Sequence, residues 1–416
     1  MQPDINGAKA EMPLTNERIP YFTINRFFWQ WKLHDGVDGC RIVPNIALSM
    51  EKPAPPLAMQ QIPKVVEPKH APASKKRDSL DKMVDDLEKA GKALARFQAW
   101  LNAPSPPKSV AVKLEKDTSI PAFDIQEIPE AMRKLYLPVS AALMERWFSG
   151  RLNYSHTPSD ELAEINQDGQ PYAADMYDAS IVKLDWVLRF PRAKKQFDHL
   201  VNEAIRSQKS RDELYKLLAP YKDCATRLYT DDICGNDLRD IHRRFQFQYS
   251  SVDSTFGQKI ETQLSAKLRN NGAPDDLSGA LGSFNIYAAL GSARFSWDVD
   301  SRRTTAEVTG VWVYVKDNYT FTDKNGELSQ YLGHWSGNGV IVVPYSVAAA
   351  RLNSEYVPYV KYAVARGDSF IKGNVYYPVE NSDFRKWAKI HRRGGDFIIY
   401  SDKRYVPISP PIKIHL

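Results

Sequence analysis

The sequence predicts an α+β fold, with a helical N-terminal half followed by a C-terminal, mainly antiparallel β-sheet domain. Three observations predict it. Residues 120–280 carry apolar side chains at helical spacing, residues 281–416 switch to short strand runs, and 43% apolar content over 416 residues is ample for a buried core. Helices first and strands afterwards point to segregated α and β layers rather than alternating βα units. No internal repeat is present.

Taken in order, residues 1–52 form an aromatic-rich segment, with Tyr21, Phe22, Phe27, Phe28, Trp29 and Trp31 close together. Such density is a liability in water, so Phe27, Phe28, Trp29 and Trp31 are docking candidates. Their target is either the protein's own core or an export adaptor, a spike protein or an amphiphilic ligand. Residues 53–77, with Pro53, Pro55, Pro56, Pro63, Pro68 and Pro72, read as an extended linker.

Over residues 78–102 the leucines Leu80, Leu87, Leu94 and Leu101 recur every seven residues, with Met83, Ala90 and Phe97 offset by three. This is a heptad seam, which Asp78 or Ser79 can cap and Pro104, Pro106 and Pro107 terminate. The seam fits either a partner helix or the chain's own domain; Gly91 and the short length leave an independent coiled coil marginal.

From Ile128 onward, Met132, Leu135, Tyr136, Val139, Leu143 and Trp147 lie on one helical stripe, in which Pro138 kinks the helix or opens a second one. Further helices are expected over 179–207, 210–219 and 236–248. Strands follow over 284–287, 309–315, 340–343 and 397–400.

Composition narrows the function classes. Cys40, Cys224 and Cys234 lack disulfide or zinc spacing, which fits synthesis in the cytoplasm. The N-terminus has no basic segment followed by an apolar run, and no stretch approaches the roughly 20 apolar residues of a membrane span. We therefore expect no transmembrane segment, and export without a Sec signal peptide. The net charge of +6 is carried by the tail, where residues 361–416 hold eleven Lys/Arg against five Asp/Glu. A basic tail suits phosphate, an anionic membrane or an acidic partner, or is simply a solvated face. No signature of specific nucleic-acid recognition accompanies it.

Six blocks carry a family resemblance: Ile128-Pro129-Glu130-Ala131-Met132, Met144-Glu145-Arg146-Trp147-Phe148, the run from Ser180 to Leu188, Val315-Lys316-Asp317-Asn318-Tyr319-Thr320-Phe321, Gln330-Tyr331-Leu332-Gly333-His334-Trp335, and the run from Gly394 to Asp402. Across residues 120 to 405 the chain resembles the bacterial domain of unknown function 6402 family. Proteins of this kind are commonly encoded beside type VI secretion spike genes. The resemblance thus implies a cargo of that machine, carried by a spike (VgrG-type) protein or an adaptor that the N-terminal region would engage. It supplies no catalytic residues and no cofactor.

The most enzyme-like stretch holds Asp317, Tyr319 and Asp323, with His334 following. Two carboxylates, a phenol and an imidazole at strand ends can bind a divalent metal and activate water for phosphoester cleavage. The set loosely resembles the Asp-x-Tyr-Asp and His-Arg elements of colicin M-type toxins, which hydrolyse the lipid-linked peptidoglycan precursor, although Thr320 replaces the second Asp and Trp335 replaces the Arg. The plainer reading is a hairpin with Asp323-Lys324-Asn325-Gly326 as its turn and Tyr319 and Phe321 in the core. A second candidate is His391-Arg392-Arg393 before Gly394-Gly395, where two guanidinium groups precede a turn able to cradle an anion; its alternative is a turn feeding the strand 397–400. Ser336 lacks the spacing of a nucleophile elbow, and the scattered histidines define no metal centre. Two functional classes remain. One is a non-enzymatic binding effector serving nutrient uptake, iron included, through an amphiphilic ligand or membrane vesicles. The other is an envelope toxin, which would be paired with an immunity protein. A structural scaffold is a weaker third.

Overall fold

Strands are distributed throughout the described residues. β1 (Tyr21–Asn25), β2 (Gln30–His34) and β3 (Arg41–Val43) come first, and β4 (Tyr177–Asp178), β5 (Arg227–Tyr229) and β6 (Gln246–Val252) lie among the helices. The remainder are β7 (Phe284–Asp298), β8 (Arg303–Tyr319), β9 (Tyr331–Ser336), β10 (Gly339–Val342), β11 (Ala363–Ala365), β12 (Val375–Glu380), β13 (Phe397–Tyr400) and β14 (Arg404–His415). The computed structural model describes residues 18–25, 29–57, 119–252, 273–298, 303–323, 329–343 and 358–416. They belong to one compact unit that joins residues 1–58 to 119–416. The heptad seam of 78–102, most of the 53–77 linker, Phe27, Phe28 and the turn at Lys324-Asn325-Gly326 lie outside the described residues.

Two sheets result, so the α+β class with antiparallel sheets holds. The first has seven strands in the order β2-β1-β10-β9-β12-β11-β3; the second runs β4-β13-β8-β7-β5, with β14 also pairing β8 and β6 also pairing β7. Among the described strands every pairing is antiparallel except that of β13 with β4. The helical-then-strand division is looser than the sequence suggests. Phe22 of β1 sits opposite Val342 of β10, so the aromatic N-terminal segment supplies strands to a sheet otherwise built from residues 331–380. Conversely, the helix Asn381–His391 falls among the C-terminal strands.

Local chemistry explains the elements and their differences from expectation. Pro138 opens a new helix, Pro138–Ser149, rather than kinking one, since its ring suits the first turn. The Asp276 carboxylate accepts the first-turn amides of Val139 at 3.1 Å and Ser140 at 2.9 Å, placing an anion at a helix N-terminus. Likewise Pro191 divides the expected 179–207 helix into Leu184–Val187 and Pro191–Asn202. The helix expected over 236–248 is Leu238–Phe245, followed directly by β6. Strand β14 escapes a reading by pattern because Pro407, Pro410 and Pro411 interrupt it, and its register against β8 shifts between Pro407 and Ile412.

One large core holds residues from Ile24 to Ile414. At its centre the fully buried Trp147 meets Phe148, Phe321, Phe384 and Trp387 edge-on or tilted, while Phe321 and Phe384 stack at 3.8 Å. The Trp147 indole N–H donates to Asp396 Oδ1 at 2.9 Å, so the predicted stripe residue anchors helix Pro138–Ser149 to the residue preceding β13.

Candidate functional site

Strand alternation decides what the end of β8 presents. Lys316 and Asn318 point to one side, where Lys316 Nζ donates to Glu164 at 3.1 Å and Asn318 Nδ2 to Glu161 at 2.7 Å. Asp317 and Tyr319 therefore point to the other, into a cavity of about 240 Å³. Its walls are mostly apolar, with Met132, Met144, Leu281, Leu332, Trp335 and Phe384 prominent. The polar part of the lining comes from residues 317–320 at the end of β8 together with Ser278, Ser283, Gln330 and Asn381. The capped helix Pro138–Ser149 and the helix Asp276–Leu281 provide part of the wall, so Asp276 helps set the cavity's shape.

The two sequence-predicted residues in this cavity are unusually short of partners. Among the described residues Asp317 receives only the neighbouring Asn318 amide, and burial pushes its carboxyl well above the usual carboxylate range. The Glu161 carboxylate raises it further, against the lowering pull of Asn318 and Lys316. Tyr319 is fixed by its ring, stacked on Phe397 at 5.1 Å and edge-on to Phe321 at 5.6 Å, and burial raises its phenol. Neither the Tyr319 hydroxyl nor the Gln330 carboxamide has a hydrogen-bond partner among the described residues, whereas Thr320 and Asn381 are already engaged.

The remaining members of the predicted catalytic set are held elsewhere. Asp323 does not line the cavity; its Oδ1 accepts the Gln330 amide at 3.1 Å and Asn381 Nδ2 at 2.8 Å, bracing the cavity wall. His334 is fully buried on the side of β9 away from Trp335, its Nε2 against the Tyr362 carbonyl at 2.9 Å and its Nδ1 against the Tyr331 hydroxyl. Burial pulls its imidazole down to about 4, so it is neutral and occupied. Asp317, Asp323 and His334 do not share a ligand set, and among the described residues no three His, Cys, Asp or Glu side chains gather around one point. The hydrolase constellation expected from the sequence is thus not assembled, because alternation on β9 and the β8–β9 connection send its members to different partners.

The anion cradle is not assembled either. His391 Nε2 meets the Met50 carbonyl at 2.8 Å, and the Arg393 guanidinium donates to the carbonyls of Ser149, Gly150 and Pro55 at 2.9, 3.0 and 2.8 Å. Arg393 therefore satisfies orphan carbonyls at the end of a helix. Arg392 closes the helix Asn381–His391 in the left-handed conformation and is exposed. Gly394 and Gly395 are packing devices: a Cβ would come within 2.6 Å of the Trp147 ring at the first and 2.4 Å of the Arg151 carbonyl at the second. Much of the tail's basic surplus is spent on ion pairs with earlier segments, Lys403 with Asp231, Arg404 with Asp185 and Lys413 with Glu307. Of the docking aromatics, Trp29 and Trp31 pack partly buried against the protein's own core, and the Trp29 carbonyl accepts the Ala273 amide at 2.6 Å.

Sequence reasoning missed the cluster on the opposite side of β8. His242 Nδ1 lies 2.9 Å from the buried Tyr314 hydroxyl, and the imidazole is pulled down to about 4 by burial and by Lys316. Burial alone would raise Glu164, but the Tyr177 hydroxyl at 2.6 Å and the Lys316 ammonium hold it below the usual range. Alternation of Tyr314, Lys316 and Asn318 was the available signal, yet their partners at 161–177 and 242 are distant in sequence.

No helix among the described residues is long and apolar enough to cross a membrane. No curated protein and no solved structure gives a significant match to the chain. A family model described as a family of unknown function, DUF6402, matches residues 123–416, which covers the cavity and both faces of β8, and the chain belongs to that family.

Proposed function

We propose that this chain is a cargo of a type VI secretion machine that acts outside the producing cell by binding a small amphiphilic ligand, in the service of nutrient capture such as iron uptake. The observation that carries the binding half is the cavity beside Asp317. A mostly apolar, half-open cavity of about 240 Å³ with a few polar groups at one part of its wall has the form of a site for a small ligand. The family resemblance supports the export half. A metal-assisted hydrolase is the weaker reading, because Asp323 and His334 do not line the cavity and are held by Asn381 and by the Tyr362 carbonyl.

The two halves have separate tests. Secretion is measured in strains with and without a functional spike protein, and unchanged release without the spike would overturn the cargo reading. Binding is measured by calorimetry with neutral small aromatic molecules, using the cavity-lining, buried Ala280 as a plug. Ala280→Leu is expected to abolish binding while the protein still melts cooperatively; no binding to the unmodified protein would remove the ligand reading. Periplasmic expression is expected to leave growth unchanged. Arrest relieved by Asp317→Ala would instead favour the envelope hydrolase.

A further inference from the structure

The polar part of the cavity wall says more about its ligand than the volume does. Asp317 and Tyr319 stand two residues apart on one face of β8, roughly 6–7 Å along the strand, and both line the cavity. Most polar groups nearby are already committed. Thr320 Oγ1 donates to Asp396 at 2.8 Å, Asn381 Nδ2 to Asp323 at 2.8 Å, and Ser278 is tied to Asp275 and Arg192. Among the described residues the Tyr319 hydroxyl and the Gln330 carboxamide have no partner and the Asp317 carboxyl accepts only the Asn318 amide, and they share the lining with the apolar Leu281, Leu332 and Phe384.

Three ligand chemistries can be weighed against this arrangement. A cation would need an ionised carboxylate, which the mostly apolar walls around Asp317 disfavour. An anion would meet a carboxyl and no free guanidinium or ammonium, since Arg385 is paired with Asp396 and Lys316 with Glu164. A neutral oxygen acceptor meets two hydroxyl-type donors in an apolar setting, where such bonds are strongest.

We infer that the polar end of the cavity holds a carbonyl oxygen, received by the Asp317 carboxyl and the Tyr319 hydroxyl, so that the ligand is a small, neutral, largely apolar or aromatic carbonyl compound. This rests on the cavity being a ligand site and names the ligand's class. The raised carboxyl of Asp317 agrees with it, since an apolar site that keeps a carboxyl protonated turns it from an acceptor into a donor.

The test compares three probes of one size, acetophenone, ethylbenzene and 1-phenylethylamine, by calorimetry on the full chain, with thermal melting as the check on folding. Acetophenone is expected to bind about tenfold tighter than ethylbenzene, the worth of one or two net hydrogen bonds. Asp317→Leu should reduce that advantage, leaving the part that Tyr319 supplies, and leave ethylbenzene binding in place. Asp317→Asn, which keeps a donor, should retain most of it, and Tyr319→Phe should lose about fivefold for the ketone alone. Raising the pH until Asp317 ionises should weaken acetophenone but not ethylbenzene. Equal binding of ketone and hydrocarbon overturns the inference and leaves the ligand cavity standing. Preferred binding of the amine, abolished by Asp317→Asn, overturns it in favour of an ionised carboxylate. If no probe binds, the cavity reading fails and the inference falls with it.

Discussion

The two faces of β8 near its C-terminal end differ in a way that separates structure from function. On one side Lys316, Asn318 and Tyr314 each have a partner, Glu164, Glu161 and His242. On the other, Asp317 has only a backbone amide and Tyr319 no polar partner among the described residues. Both faces carry chemistry-bearing side chains, so residue type alone does not distinguish them. Satisfaction does: a closed network stabilises itself, whereas open donors beside an apolar cavity are available to something else.

If that contrast is right, removing closed groups should cost stability and removing open ones should not. The largest effect is expected at Asp396, which accepts from Trp147, Thr320 and Arg385 while almost wholly buried. Asp396→Ala leaves a partly buried guanidinium without its counter-ion and strands a buried indole N–H, and should lower unfolding free energy by about 3–4 kcal/mol in urea titrations. A loss below about 1 kcal/mol would mean that the network is not what closes the core.

Next comes His334. Its folded-state imidazole titrates at about 4 against an ordinary 6.5. A group depressed in the folded state contributes stability that is fully present above 6.5 and is lost as the pH falls toward 4. The loss should reach roughly 3 kcal/mol. His334→Gln is expected to flatten this part of the stability profile, and an unchanged slope would place the acid sensitivity elsewhere, with His242 the next group to test.

Glu164→Gln on the closed face weakens its bonds to Tyr177 and Lys316, and should cost about 1 kcal/mol, since both groups keep some solvent contact. Ligand binding should not change.

The smallest effect belongs to the open face. Asp317→Asn should leave stability within about 0.5 kcal/mol below about pH 4, where the carboxyl is protonated in the folded and unfolded chain alike. Because the Asp317 carboxyl is raised, its contribution is fully present below the unfolded value near 4 and is lost as the pH rises through the folded value. The variant should therefore gain on the wild type as the pH is raised. A marked destabilisation by Asp317→Asn would show that Asp317 belongs to a closed network after all.

Part of this was legible in advance. The strand 397–400, the stripe through Trp147 and the proximity of Asp317 and Tyr319 follow from periods of 2 and 3.6, which are local properties of the chain. Strands β1 to β3 were hidden because an aromatic-rich run gives no alternation until a partner such as β10 is known. Strand β9 was hidden because Gly333, with its φ of 98°, breaks the pleat.

By itself, then, the sequence determined the α+β class, the family and the residue types available at the end of β8, because composition, periodicity and spacing act over a few residues. Only the tertiary structure decided which of those residues remain open. His334, Asp323 and Arg393 are consumed by Tyr362, Asn381 and the carbonyls of Ser149 and Gly150, partners brought from distant parts of the chain. Asp317 and Tyr319 keep their polar atoms because strand alternation turns them toward a cavity whose walls come in part from residues 128–144 and 379–384, far from β8 in sequence. Whether a polar group is satisfied depends on what packs against it, and that is a property of the folded core.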